Sequence, residues 1–244
     1  MGEIWFDTPP SMSTVLAKYL FTGEHLSVQV HPTADFSPAQ SGKDECWLVT
    51  DAKEGARLAV GFREEFSAEM IRAAALDGSI ENMLAWREVA DNDFIYVPAG
   101  TVHSMGPGLT VVEIQQNTDI TYRLYDYGRP RVLHLEEAMA SILTGPHPPE
   151  LRTRIDPGRE LLLVDGPHFF LAQCIGKPSD GLAARLEGAV QFLPLAGQCC
   201  IGDIVVAAGG SAWVGSLYEI EFDLSERCLL VASPRPRDLK STRS

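Results

Sequence analysis

The chain has 244 residues, of which 45% are hydrophobic and 22% charged, so it is too apolar for a disordered protein and long enough for one large domain or two small ones. Its formal net charge of −13 argues against binding to nucleic acid or anionic membranes, and a phosphorylated ligand would need a local basic cluster. The chain shows no apolar run of membrane-span length, no secretory signal in residues 1–13 and five cysteines without a Cys-x-x-Cys pair, which together predict a protein of the reducing cytoplasm.

Short runs rich in β-branched and aromatic residues, separated by Gly and Pro, dominate the first half of the chain. Such runs are typical of the strands of a β-sandwich or barrel. The predicted strands cover residues 26–30, 46–49, 57–61, 93–97, 109–115 and 121–124. Helical patterns cover residues 67–76, 79–86 and 135–143. The first has Ser67 as its cap and Gly78 as its stop.

A stretch with four prolines, residues 144–157, predicts a linker between two domains. Short strand patterns resume at Glu160 and continue towards the end of the chain. The predicted organisation is a first domain over residues 1–143, a linker over 144–158, a second domain over 159–234 and a flexible tail over 235–244.

An internal repeat links the two predicted domains. The run that starts at Asp93 and the run that starts at Asp203 both read as a strand, a turn of small residues and the start of another strand. In this alignment His103 matches Trp213. We therefore expect two copies of one β-barrel unit, of which the second carries an indole in place of an imidazole and has a structural role.

Four polar residues of the first half form a candidate metal site. Gln29 and His31 are two residues apart in a strand pattern and so enter the same cavity. Glu45 follows a turn-rich connection, and His103 follows the Pro98–Gly100 turn. Imidazole, carboxylate and amide oxygen, without a thiolate, suit a catalytic zinc. Taken singly, each histidine also fits a hydrogen-bonded interior residue, and Gln29 a buried amide.

These residues lie in four sequence blocks that resemble the active-site signature of the type I mannose-6-phosphate isomerases, in the family's order, over roughly residues 2–138. The blocks are Ser27–Pro32, Lys43–Glu45, Pro98–His103 and Glu113–Arg129. The resemblance implies a mainly β fold of two cupin-type jelly-roll barrels, the first with a few short helices and the second degenerate and metal-free. It also implies one zinc per chain, held by Gln29, His31, Glu45 and His103.

The family reaction interconverts mannose 6-phosphate and fructose 6-phosphate, and it is the activity that the resemblance implies here. Moving a proton between C1 and C2 through an enediol requires a base, an electrophile and an anchor for the phosphate. We expect Arg123 to stabilise charge and Lys43 to bind substrate oxygens or phosphate, roles that could be exchanged. Glu113 is the candidate base, and Asp119 a substrate-binding residue. The alternatives are an exposed strand carboxylate for Glu113 and a solvated loop lysine for Lys43.

Two other functions remain open at this point: a metal-dependent cupin oxygenase and a non-catalytic sugar-phosphate-binding cupin. Most family members have a Trp-Gly-containing strand before the block that begins at Gly2, and its absence here is expected to affect stability or activity. The expected partner is a small sugar phosphate, with neither nucleic acid nor membrane. The expected assembly is a monomer or a weak homodimer.

Overall fold

The computed structural model describes residues 2–10 and 14–234, so the predicted tail at 235–244 lies outside the described residues. Strands account for 41% of the structure and helices for 16%, which confirms the mainly β prediction. The described chain divides into two compact units. The first comprises residues 2–6 and Leu16–Ile155, and the second comprises residues 7–10, 14–15 and 156–234.

The first unit consists of two antiparallel sheets, with strand orders β1-β2-β9-β4-β7-β11 and β10-β3-β8-β5-β6. Two sheets of this kind are the arrangement expected of a cupin jelly roll. The strands are β1 Gly2–Trp5, β2 Val15–Phe21, β3 Val28–Val30, β4 Glu45–Ala52, β5 Arg57–Phe62, β6 Leu84–Glu88, β7 Asp93–Val97, β8 His103–Met105, β9 Leu109–Gln116, β10 Tyr122–Tyr125 and β11 Arg152–Arg154.

The predicted strands of this unit are confirmed to within a few residues at each end. Their apolar residues fill two buried clusters, one around Phe62 and Ile71 and another around Trp47 and Val111. The stretch predicted as a linker includes β11, which pairs with β7 of the first unit. In the central strands β4, β8 and β9, consecutive residues are buried, so both faces of these strands are covered. Few places other than a cavity remain there for polar side chains.

Helix α1, Ala68–Asp77, begins and ends as its sequence predicts: the Ser67 hydroxyl accepts from the Met70 amide, and Gly78 has a φ of 84°. The helix predicted over 79–86 is wrong in its second half. Residues Ser79–Met83 form a 3-10 helix, and the chain then continues as β6. Pairing with β5 supplies the backbone hydrogen bonds of β6, and this tertiary contact overrides local helix propensity. Helix α2 spans Leu135–Ser141.

The second unit contains one antiparallel sheet of order β12-β13-β17-β14-β15, with β16 paired to β14. Its strands are β12 Leu161–Asp165, β13 Phe170–Cys174, β14 Val190–Ile201, β15 Ile204–Ala207, β16 Ala212–Val214 and β17 Ser225–Ala232, and its helix is α3 Asp180–Ala183. The second copy of the repeat forms β15, a turn and β16, as the first forms β7, a turn and β8. The Trp213 indole donates to the Asp7 carbonyl.

All five cysteines are free thiols. Within the described residues, no helix combines the length and the apolar character needed to cross a membrane.

Candidate metal centre

Strand β3 brings three polar residues into one row. Gln29 pairs with His103 on β8 and with Arg123 on β10. Because side chains alternate along a strand, Val28 and Val30 enter the hydrophobic core while Gln29 projects to the other face. His31, directly after β3, continues the same alternation and lines the same cavity as Gln29, His103 and Arg123.

His31, Glu45 and His103 form a compact set of metal-binding atoms. One ligand atom from each lies within 4.8 Å of the others, and this is the one such group of three found among the described residues. The three side chains are buried, with residue exposures of 2%, 1% and 3%. The Nε2 atoms of His31 and His103 lie 3.3 Å and 3.6 Å from the two Glu45 oxygens.

Backbone carbonyls fix the orientation of both imidazoles. His31 Nδ1 lies 2.8 Å from the Ile120 carbonyl, and His103 Nδ1 lies 2.9 Å from the Thr101 carbonyl. A carbonyl oxygen only accepts, so each Nδ1 carries the hydrogen and each Nε2 presents a lone pair to the cavity. Burial lowers the pKa of His103 to about 3, although Glu45 opposes this shift. The ring is therefore neutral, as a metal ligand must be.

Glu45 is held ionised at the centre of this group. Burial alone would raise its pKa, but the positive charge of Lys43 outweighs that effect and holds the pKa well below its usual value. Its Oε2 accepts from Lys43 Nζ at 2.8 Å, whereas its Oε1 is buried without a hydrogen-bond partner. A buried carboxylate oxygen without a partner is costly, and a cation at this place would relieve that cost.

The ammonium group of Lys43 lies against the candidate ligand atoms, as expected where these atoms stabilise a positive charge. It lies 2.9 Å from His31 Nε2 and 2.8 Å from Glu45 Oε2, so it donates to two of the atoms of the candidate ligand set. Two imidazole nitrogens and one carboxylate are a donor set that zinc commonly takes. Gln29 lies beside them: its Nε2 is 3.2 Å from His103 Nε2, and its Oε1 accepts from Ser27. Rotating this amide by 180° would turn its oxygen towards the histidines.

Glu113 is buried, and both of its oxygens have contacts. Its Oε2 accepts from the Trp47 indole at 2.9 Å, and its Oε1 pairs with Lys18 Nζ at 2.9 Å and lies 3.8 Å from Lys43 Nζ. Glu113 and Lys43 are only 3% and 4% exposed. Neither is therefore the solvated surface residue that the alternative interpretations describe.

Lys18 lines the cavity and was missed by the sequence analysis. It is 7% exposed and lies on β2 between Leu16 and Leu20, which are also buried. Burial alone would lower its pKa, but Glu113 outweighs this and raises it, so Lys18 stays charged. Its ammonium also lies 4.9 Å from the centre of the Trp5 ring. A lysine within an otherwise apolar strand was the available signal, since unpaired lysines are almost never buried.

The cavity around these groups has a volume of about 280 Å³. Arg123 is half-buried in its wall, its Nε has no hydrogen-bond partner, and it forms no ion pair among residues 2–10 and 14–234. Asp119 is exposed and also lines the cavity. The structure therefore brings every predicted site residue to one cavity, with cations around a negative ligand set.

A scan against protein-family models finds no match. The probable mannose-6-phosphate isomerase GmuF of Bacillus subtilis is 35% identical over 170 residues, which cover 63% of this chain and 53% of that protein. The chain thus spans about half the length of this relative.

The crystal structure of mannose 6-phosphate isomerase from Bacillus subtilis matches 90% of this chain and 75% of its own, with a TM-score of 0.73 and 25% identity. A mannose 6-phosphate isomerase solved with zinc bound matches 91% of this chain and 79% of its own, with a TM-score of 0.67 and 15% identity. In sequence and in fold, the chain is therefore similar to the mannose-6-phosphate isomerases, and it has their cupin architecture.

Proposed function

We propose that this chain is a zinc-dependent aldose-ketose isomerase that interconverts mannose 6-phosphate and fructose 6-phosphate. The observation that carries the proposal is the buried group of two Nε2 lone pairs and one carboxylate, in one cavity with Lys43 and Arg123. Two cations beside a metal site suit a phosphorylated sugar better than dioxygen chemistry. The related proteins of Bacillus subtilis bear the same activity in their names.

His31, Glu45 and His103 are the residues that would hold the zinc, with Gln29 as a fourth candidate. The buried Oε1 of Glu45, which has no hydrogen-bond partner, supports this assignment. When bound, zinc would supply an electrophile for sugar oxygens that gain negative charge during proton transfer. The zinc-bound structure of similar fold supports the same metal.

Arg123 and Lys43 supply the positive charge that a sugar phosphate needs on a protein of net charge −13. Arg123 has no carboxylate partner among the described residues, so its guanidinium is available to the phosphate or to charge that develops on the substrate. Lys43 lies deeper, against His31 and Glu45, and would meet substrate oxygens close to the metal ligands. Asp119 would contact the sugar from the exposed part of the cavity.

Glu113 is our candidate for the base that moves the proton between C1 and C2. It lines the cavity, and the contacts with Trp47 and Lys18 fix its carboxylate in one position. A base must lie within hydrogen-bond reach of the proton that it takes, so this fixation favours a defined substrate pose. Lys18 then acts as a positioning residue for Glu113.

We further propose that the protein works in the cytoplasm, as a monomer or a weak homodimer. The free cysteines support a reducing compartment. The expected partner is a small sugar phosphate, in agreement with the negative net charge and with the cationic cavity.

The test is turnover of mannose 6-phosphate to fructose 6-phosphate by the purified chain, before chelation, after it, and after zinc is restored. Activity that falls on chelation and returns with zinc supports the isomerase. A melting temperature that rises with mannose 6-phosphate, without any turnover by the zinc-loaded chain, would instead support a sugar-phosphate-binding protein.

A further inference from the structure

A second basic cavity lies in the first unit, where β5 and β6 meet the segment that leads into β11. Its volume is about 460 Å³, within the range of small-molecule sites. Its wall combines apolar side chains with polar ones, among them Arg63, Arg87, His147 and Arg152. None of the residues that line it also lines the candidate metal centre.

Three arginines give this cavity its positive charge. Arg63 has a carboxylate neighbour, because its Nε lies 3.5 Å from Glu64. Arg87 and Arg152 form no ion pair within the part of the chain that the structure describes. Both side chains line the same cavity, and burial and the positive charge of Arg87 lower the pKa of Arg152. An anion bound between the two guanidinium groups would offset this unfavourable pairing of like charges.

His147 adds a buried acceptor to the same wall. Its residue exposure is 4%, and its Nε2 donates to the Tyr96 carbonyl at 2.8 Å. Its Nδ1 therefore carries a lone pair, and this atom is buried without a hydrogen-bond partner. Burial, with Arg152 and Arg87, lowers the pKa of the ring, although the Tyr96 carbonyl and Glu150 oppose this shift, and the ring stays neutral. The positive charge of this wall therefore comes from the arginines.

We propose that this cavity is a second ligand site, which binds the phosphate group of a small molecule through Arg87 and Arg152. Guanidinium groups donate paired hydrogen bonds to phosphate oxygens, and their strength rises where water is partly excluded. The chemistry fits inorganic phosphate and phosphate esters alike. The proposal is independent of the isomerase activity, since it uses no residue of the metal centre.

The test is calorimetric titration of inorganic phosphate into the full chain and into variants of it. R87Q/R152Q removes both guanidinium charges of the cavity. The matched control is R154Q, which removes an exposed arginine of β11, the strand that carries Arg152. R123Q removes the arginine of the metal-centre cavity. Because the cavity of the metal centre can also bind phosphate through Arg123, R123Q is the reference: adding R87Q/R152Q to R123Q should weaken phosphate binding about tenfold or more. Binding should be unchanged in R154Q and should persist in R123Q. Titration of mannose 6-phosphate into R123Q then distinguishes a site for phosphate esters from a site for inorganic phosphate. Tighter binding of mannose 6-phosphate than of inorganic phosphate indicates a site for esters.

The proposal would be overturned if adding R87Q/R152Q to R123Q left the affinity for phosphate unchanged, or if R123Q alone lost phosphate binding completely. Circular dichroism and the melting temperature establish that each variant is folded. If the double variant does not fold, R87Q alone gives the same test, since Arg87 is exposed and its loss leaves no buried partner. The phosphate titrations do not depend on isomerase activity. The proposal of a second site and the proposal of an isomerase can therefore be refuted independently.

Discussion

Replacing Lys18 with methionine should strongly destabilise the first unit, although the change leaves the length of the side chain nearly intact. Lys18 Nζ and Glu113 Oε1 are 2.9 Å apart, and their side chains are 8% and 4% exposed. In the variant, Glu113 keeps the hydrogen bond from Trp47 but loses its nearest positive charge. Lys43, whose Nζ lies 3.8 Å from Glu113 Oε1, is then the remaining cation beside the buried carboxylate.

The size of the effect follows from the distance and the burial. At an effective dielectric constant of about 20, two unit charges at this separation attract by about 6 kcal/mol. Desolvation of both groups offsets much of this, and removal of one partner from a buried pair typically costs about 3–5 kcal/mol. Because Lys43 partly compensates the remaining charge, we expect the free energy of unfolding to fall by about 3 kcal/mol, at the lower end of that range.

Urea unfolding followed by tryptophan fluorescence measures this loss, and Trp47 reports it directly because its indole donates to Glu113. The matched control is Lys53→Met, which removes an exposed lysine from the same unit and should change stability by less than about 0.5 kcal/mol. In Lys18→Met/Glu113→Gln the buried charge is gone, so much of the loss should be recovered. A loss below about 1 kcal/mol in Lys18→Met, or strict additivity in the double variant, would refute the role of this ion pair.

Three further outcomes test the site and the fold. His103→Ala should lose both zinc and turnover, as metal analysis and an activity assay can measure; unchanged zinc would remove His103 from the ligand set. Arg123→Ala should keep its zinc while kcat/KM falls about 100-fold or more, and normal turnover would exclude it from the reaction. Gly61→Ala should destabilise the first unit by more than about 3 kcal/mol, because Gly61 has a φ of 73° and an added Cβ would collide with the His147 backbone. Gly55→Ala, with the same φ and open space, should cost only about 1 kcal/mol in a melting experiment, and equal losses would contradict the steric argument.

The strands that sequence reasoning located are those whose apolar residues form runs visible on their own. Residues 93–97 are an example, since the structure has a strand with these bounds. The strands that it located less completely depend on a distant partner. His103–Met105, predicted only as the start of a strand after a turn, is three residues long and is defined by pairing with β3 and β5. Pairing with β5 likewise makes Leu84–Glu88 a strand, β6, where the sequence predicted a helix.

The same division holds for the site. Gln29, His31, Glu45 and His103 could be proposed together because they occur in recognisable blocks of sequence. Lys18 could not be linked to Glu113, because the two are far apart in sequence and meet only where β2 lies beside β9. The tautomers of the histidines were equally inaccessible, since they depend on backbone carbonyls such as that of Ile120.

The metal centre and the fold depend on the same registers. One row of side chains crosses the five-stranded sheet from Arg123 through Gln29 to His103. In the other sheet, Trp47 pairs with Glu113. A slip of one residue in β3 would place Val28 and Val30 in the polar cavity and bury Gln29 in the core. Apolar side chains would then be exposed and a polar amide buried without partners, at a cost of several kcal/mol by general estimates. The alternation that makes β3 fold in this register is therefore also what directs its polar residues to the metal centre.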